Sequence, residues 1–195
     1  MGRARTLLIG AMAALAWPAT GWSQAPAAPA RLDLIASLET ICVAAAGDRA
    51  KAVELATAAG FSPTPAEMIP FMRGATNTAG YMRSNEADMA FVMLGTLTRR
   101  LGRRDVTMEF CGVSSRPTDH RALDRRLREV MGFAPVQGGG FDAYAWVQTP
   151  EGRSAASALT DQHFAAMAET GQMRMVALDR SGTGSTLIYF LPRFD

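Results

Sequence analysis

The chain contains two cysteines, and whether they are joined constrains its fold more than any other feature of the sequence. Cys42 lies on the apolar stripe of a predicted helix, and Cys111 lies in a predicted strand 69 positions further along. An even number of cysteines in an exported domain is typical of a disulfide, because thiols outside the cytoplasm become oxidised. We therefore predict a Cys42–Cys111 bond that holds the first helix against the sheet.

Residues 1–25 have the features of a secretory signal peptide. Two arginines precede an apolar run at residues 7–17, a proline follows the run, and small residues occur near position 25. The run is well below the ~20 residues that a helix needs to cross a bilayer, so we expect cleavage and no transmembrane anchor. The sequence thus predicts a flexible tether at residues 26–31 and a single domain at 32–195, periplasmic or secreted after cleavage.

The charge balance argues against nucleic-acid binding. The full chain has 20 Lys and Arg residues against 18 Asp and Glu residues. Arg3 and Arg5 leave with the signal peptide and no acid does, so the mature chain has 18 residues of each sign. A nucleic-acid-binding domain is expected to carry a strong basic excess.

Hydrophobic spacing and turn residues locate the secondary structure. Helices are expected where apolar residues recur at helical spacing between a capping residue and a glycine, from Asp33 to Gly47, Asp48 to Gly60, Thr118 or Asp119 to Gly132, and Thr160 to Gly171. Strands are expected where apolar or β-branched residues alternate between turn signals, at residues 80–83, 89–97, 106–113, 141–148, 172–179 and 185–191.

The order of these segments predicts an α+β fold. Written along the chain it is ααββ(β)αβαββ, and hairpins outnumber candidate parallel crossovers. We therefore expect a mostly antiparallel sheet of about five to six strands with helices packed on one face. The last two strands are apolar on both faces in places, which favours a central position.

The alternation around Cys111 leaves its orientation open. Val106, Met108 and Phe110 share one face of the strand, whereas Glu109 and Cys111 share the other. If the helix covers the more apolar face, Cys111 points away from it. Either a bulge at the following glycine resets the alternation, or the helix covers the less apolar face at that end.

Other uses of the cysteines fit the sequence poorly. A redox enzyme usually has two cysteines in a Cys-x-x-Cys motif, which is absent. A four-ligand metal site would need both cysteines together with His120 and His163, and no two of these have ligand spacing. We expect neither a metal nor another cofactor.

Candidate catalytic residues are few. Ser114 and Ser115 follow a strand and precede the helix that carries His120, so a serine could be paired with a histidine as base. The Gly-x-Ser-x-Gly nucleophile elbow is missing, however, and no third group orients the histidine. The simpler interpretation is that the serines are loop or capping residues and that the histidine is a solvated surface residue.

Arginines form the most distinctive surface feature. One group surrounds a predicted hairpin turn and a second lies on the polar side of the third helix. Together they could form one site for phosphate, an acidic polysaccharide or an acidic partner. Neighbouring acids favour the alternative of a solvated face laced with salt bridges. The candidates for anion binding are Arg99, Arg100, Arg103, Arg104, Arg121 and Arg125.

Three segments resemble small exported two-cysteine proteins of uncharacterised function from Gram-negative bacteria. They are "ICVAAAGDRAKAVELATAAGF", "CGVSSRPTDHRAL" and "TGQMRMVALDRSGTGSTLIY". The resemblance implies the compartment and the fold, and no activity. Our hypothesis is a non-enzymatic periplasmic binding module whose partner is a periplasmic protein or an anionic ligand. The alternative is a hydrolase-like enzyme that uses Ser114 or Ser115 with His120.

Overall fold

A computed structural model describes most of the chain after the predicted leader. The described residues are 31–68, 73–101, 103–138, 141–156, 158, 160–181 and 183–194. The predicted signal peptide and all but the last residue of the predicted tether lie outside them. No helix in the described part of the chain is long and apolar enough to cross a membrane.

The fold is α+β, with one antiparallel sheet and four helices. The strands are β1 (Ser62–Pro63), β2 (Ala75–Ser84), β3 (Met89–Leu101), β4 (Arg104–Arg116), β5 (Val136–Gly138), β6 (Phe141–Thr149), β7 (Gly152–Ala155), β8 (Met173–Ser181) and β9 (Gly184–Phe194). The helices are α1 (Leu34–Ser37), which continues as a π-helical segment (Leu38–Val43), α2 (Arg49–Ala58), α3 (His120–Met131) and α4 (Asp161–Glu169). A short 3₁₀ turn covers Ala66–Met68.

The sheet is larger than the sequence predicts. Its order is β1-β2-β3-β4-β9-β8-β6-β5, and β7 also pairs with β6, which makes nine strands among the described residues. The predictions of five to six strands and of the order ααββ(β)αβαββ are therefore wrong. The missed strands β1, β5 and β7 have two to four residues each. So short a strand has no readable alternation, and its existence depends on the strand beside it.

Helices pack on both faces of the sheet, which corrects the expectation of one covered face. On the first face, α1 with its π-helical segment, α2 and α3 bury a core with strand residues such as Val92, Tyr144 and Leu187. On the second face, Phe164 and Ala168 of α4 pack with residues such as Phe190. The sheet is apolar on both sides because most of its strands carry buried residues at odd and even positions.

The helix starts follow the predicted capping chemistry. Asp33, Asp48, Asp119 and Thr160 each accept a hydrogen bond from backbone amides of the first turn. These side chains satisfy amides that have no partner within the helix. Gly132 ends α3 in the left-handed conformation, with φ of 75°.

The structure contains the predicted disulfide between Cys42 and Cys111. Their Cα atoms are 5.3 Å apart, within the usual range for a disulfide. The pairing of β4 with both neighbours runs without a register shift through Gly112, so no bulge turns Cys111 around. Instead the π-helical segment packs on the face that carries Cys111, which is the second of the two alternatives left open by the alternation.

Gly95 in β3 leaves room for the ring of Phe110, which extends from β4 on the second face of the sheet. A Cβ added at this position would lie 2.6 Å from a ring carbon of Phe110 and 3.2 Å from the carbonyl oxygen of Thr76. Both separations are shorter than ordinary van der Waals contact, so no larger residue fits without movement of the ring.

Candidate functional site

Four polar side chains meet at the end of the sheet beneath the first turn of α3. They come from the β2–β3 turn, from β4, from β9 and from α3, and they are Asp88, Ser115, Ser185 and His120. Ser115 and Ser185 are direct partners across the β4–β9 ladder and so lie on the same face. We call these four residues the polar cluster.

Asp88 anchors the polar cluster. Its Oδ2 accepts a 2.6 Å hydrogen bond from the backbone N–H of Leu32 and a 3.1 Å bond from the hydroxyl of Ser115. The residue is only 5 % exposed, and its Oδ1 is buried without a hydrogen-bond partner among the described residues. The turn places it there because the side chain of Asn85 accepts the backbone N–H groups of Ala87 and Asp88.

His120 is hydrogen-bonded to Ser185 of β9, which is not one of the predicted candidate residues. Its Nδ1 lies 2.6 Å from Oγ of Ser185, and the tautomer decides which of the two donates. The imidazole is therefore partly buried and bonded, which corrects the interpretation of a solvated surface histidine. His163, in contrast, is exposed on α4.

A cleft lies against the polar cluster at Ser115, the one member of the cluster in its lining, between the segment that leads into α1 and the first half of α3. Its volume is about 200 Å³, and it is lined by residues 31–34, Ser115, residues 117–119 and, from α3, Ala122, Leu123 and Arg126. A second cavity beside the disulfide measures about 20 Å³, which is enough for one water molecule. The cleft is thus the larger of these two spaces.

Two arginines and two aspartates line the cleft. Arg126 donates a 3.0 Å hydrogen bond from Nη2 to Oδ2 of Asp33, while Arg31 and Asp119 are exposed. Burial alone would raise the pKa of Asp33, but the hydrogen bonds from Arg126 and from backbone amides outweigh it and lower the pKa. The backbone amide of Ala122 is the main cause that lowers the pKa of Asp119. Both carboxyls are therefore anionic at neutral pH.

The structure brings Ser115 and His120 into one cluster and excludes Ser114. Strand alternation puts Ser114 on the second face, opposite the side on which α3 packs. Ser115 donates to Asp88, and the serine that contacts His120 is Ser185. Ser185 is 1 % exposed and is not among the lining residues of the cleft, whereas Ser115, at 3 % exposed, is one of them.

The two arginine groups lie at opposite ends of β4. Arg99 and Arg104 flank the β3–β4 turn and form salt bridges with Asp161 and Glu169 at the two ends of α4. The group on α3 follows the other end of β4, about 40 Å away at ~3.3 Å per residue. They do not form one patch, and anion binding by either group stays a prediction.

Within each group the arginines differ in their partners. Arg100 pairs with Asp105 at 3.3 Å on the hairpin itself. Arg103, Arg121 and Arg125 are exposed. Of the six candidates, three are therefore engaged by acidic side chains in salt bridges, as expected for a solvated face.

Sequence reasoning missed Asp88 and Ser185. Both carry a readable local signal: Asp88 closes an Asn-x-x-Asp turn, and Ser185 alternates in register with the inward-facing Leu187 and Tyr189. These signals identify a turn and a facing direction. They do not show that β9 lies beside β4, the pairing that places Ser185 next to Ser115.

Comparisons with protein-family models, with curated proteins and with solved structures found no match.

Proposed function

We propose that this protein is an exported, non-enzymatic binding module that holds a small organic ligand in the cleft at Ser115. The observation that carries the proposal is the cleft of about 200 Å³ whose wall includes Ser115, with the buried carboxylate of Asp88 directly behind that hydroxyl. Small-molecule sites are typically concave, mostly apolar and supplied with a few fixed polar groups.

Three parts of the chain that are distant in sequence build this cleft. The segment before α1 is held to the polar cluster through the N–H of Leu32 and to α3 through the Asp33–Arg126 salt bridge. The disulfide holds the helical segment that follows α1 against β4, and β4 is also the strand that supplies Ser115. A site supported in this way keeps its shape before ligand arrives, which favours affinity.

The signal-peptide features of residues 1–25 and the disulfide support export to the periplasm or the medium. We expect the mature protein to begin near position 25. N-terminal sequencing of protein recovered from the periplasmic fraction of an expressing bacterium tests this part. An intact N-terminus, with the protein retained in the cytoplasm, would contradict it.

Binding can be tested with a defined panel of small molecules. We would follow backbone amide NMR shifts while adding glucose, succinate, putrescine, L-leucine and 4-methylpentanoate, each at millimolar concentration. The proposal expects at least one of them to shift amides around Ser115, Ala122 and Leu123. If none shifts these amides, the proposed function is wrong.

A variant that fills the cleft supplies the control for that experiment. Ala122→Trp places a large side chain in the cleft and should abolish the shifts. Ala166→Trp is the matched variant, because Ala166 is an exposed alanine on α4, the helix of the opposite face. An equal response from both variants would show that the ligand binds elsewhere.

A second candidate function is a hydrolase-like activity of Ser115 with His120. The observation in its favour is that both residues belong to the polar cluster and that Ser115 lines the cleft. Turnover of p-nitrophenyl esters should then fall at least a hundredfold in Ser115→Ala and His120→Ala. Ser114→Ala, on the other face of the sheet, should keep full activity. Turnover that is absent, or equal in all three variants, would remove this candidate.

A further inference from the structure

We propose that the cleft selects a zwitterion with an apolar side chain, that is, a single aliphatic α-amino acid. This inference rests on the proposed binding function and names the chemical class of its ligand. It follows from three features of the cleft, which are its hydrogen-bonding floor, its balanced charge and its apolar walls.

The floor of the cleft, formed by Ser115, can accept a hydrogen bond from a donor group of the ligand. The Ser115 hydroxyl donates to Oδ2 of Asp88, so the lone pairs of its oxygen are what remains for a ligand. The carboxylate behind it strengthens the serine oxygen as an acceptor. Asp88 itself is not among the lining residues, so its carboxylate acts on the cleft only through Ser115. An ammonium group fits this floor, whereas a carboxylate would face oxygens only.

The rim of the cleft supplies the partner for a carboxylate. Arg126 uses Nη2 on Asp33, and a guanidinium has five N–H donors, so donors remain on its other nitrogens. Arg31 is the second cation of the lining. Arginine binds carboxylates in a forked, charge-assisted geometry.

The balance of charge separates a zwitterion from a simple anion or cation. Arg31 and Arg126 are offset by Asp33 and Asp119, so the lining has no net charge. A ligand with a single charge is attracted by two of these four side chains and repelled by the other two. A ligand that carries both charges can place each of them beside its opposite.

The walls and the volume define the rest of the ligand. Leu34 and Leu123 are buried residues of the lining, and Pro117 and Ala122 add apolar surface. A volume of about 200 Å³ is more than ten times the ~10–15 Å³ that one water needs on the same measure. This room suits one amino acid with a branched aliphatic side chain.

Three probes of one carbon skeleton test the inference by isothermal titration calorimetry. They are L-leucine, 3-methylbutylamine, which lacks the carboxylate, and 4-methylpentanoate, which lacks the ammonium group. We expect L-leucine to bind at least tenfold more tightly than either of the others. If an acid or amine binds as tightly as L-leucine, the zwitterion inference is wrong while the proposed function stands. If no probe here or in the wider panel binds, the proposed function also fails.

Two pairs of variants assign each half of the zwitterion. Arg126→Gln should weaken L-leucine and 4-methylpentanoate at least tenfold and leave the amine unchanged, with Arg125→Gln on the exposed side of the same helix as its control. Ser115→Ala should weaken L-leucine and the amine, with Ser114→Ala as its control. Equal effects within either pair would overturn the assignment.

A measurement on the unmodified protein covers the case in which a variant fails to fold. With ¹³C-labelled L-leucine bound, nuclear Overhauser effects are expected between its methyl groups and the methyl groups of Leu34 and Leu123. If L-leucine binds and these effects are absent, the ligand does not occupy the cleft and the inference is wrong.

Discussion

Removal of the Cys42–Cys111 bond is the perturbation whose size follows most directly from the structure. The bond closes a loop with a sequence separation of 69 residues. On the chain-entropy model a closed loop of this length stabilises the native state by ~4.4 kcal/mol at 25 °C. For a domain of about 160 residues, the entropy of unfolding is ~0.34 kcal/mol/K, so the loss should lower Tm by roughly 13 °C.

The assay compares the wild type with Cys42→Ala, Cys111→Ala and the double variant, all under non-reducing conditions. Urea unfolding gives the free energy, and calorimetry gives Tm. Either single substitution already opens the loop, so the double variant should be only about 1 kcal/mol less stable than each single one, that increment reflecting the second lost side chain. Native-state reduction should be slow, because Cys42 and Cys111 are both buried.

Two results would refute this reasoning. If the single variants lose less than about 1 kcal/mol, closure of the loop does not restrict the unfolded chain. If instead the losses of the two single variants add up in the double variant, each sulfur contributes through local packing, and the bond itself contributes little.

Three further predictions concern close packing, the polar cluster and pH. Gly95→Ala should lower the stability to urea by about 2 kcal/mol because its new methyl group meets the packed ring on β4, whereas Gly112→Ala, with its nearest neighbour at 3.4 Å, should change it little. Asp88→Ala should lower stability by about 3 kcal/mol and speed hydrogen exchange at the Leu32 amide, and unchanged exchange there would contradict that contact. The folded-state pKa of Asp33 is lowered, so its ionised form favours folding; this contribution is complete above about pH 4 and is lost as pH falls through the lowered pKa. The stability difference between wild type and Asp33→Asn, measured by urea unfolding from pH 7 to pH 2, should therefore shrink at the acid end, and a constant difference would contradict it.

Local signals in the sequence predicted the helices well. All four start at a predicted cap, since capping by Asp33 or Thr160 involves amides two to three residues away. The long strands were also placed, although β2 begins at Ala75 and not at residue 80, and β3 and β4 extend further toward their shared turn than predicted, to Leu101 and from Arg104. The ends of β3 and β4 at this turn contain arginines, so they lack the apolar alternation from which a strand is predicted.

The candidate site was predictable only in part. Ser115 and His120 were singled out because they are close in sequence. Their partners, Asp88 and Ser185, are 27 and 65 residues away, and no local pattern relates positions that far apart. The side of the strand on which Ser115 lies depends in turn on which face the helices cover.

Local chemistry in the sequence was sufficient for the α+β class and the capped helices, because each depends on neighbouring residues, and the count of two cysteines was sufficient to predict their pairing. The insertion of β9 between β4 and β8, the helices on both faces and the cleft at Ser115 were decided only by tertiary packing. The reason is that a sheet apolar on both sides gives no local preference for a face. Contacts between distant segments then determine which side each helix covers, and with it which polar side chains meet.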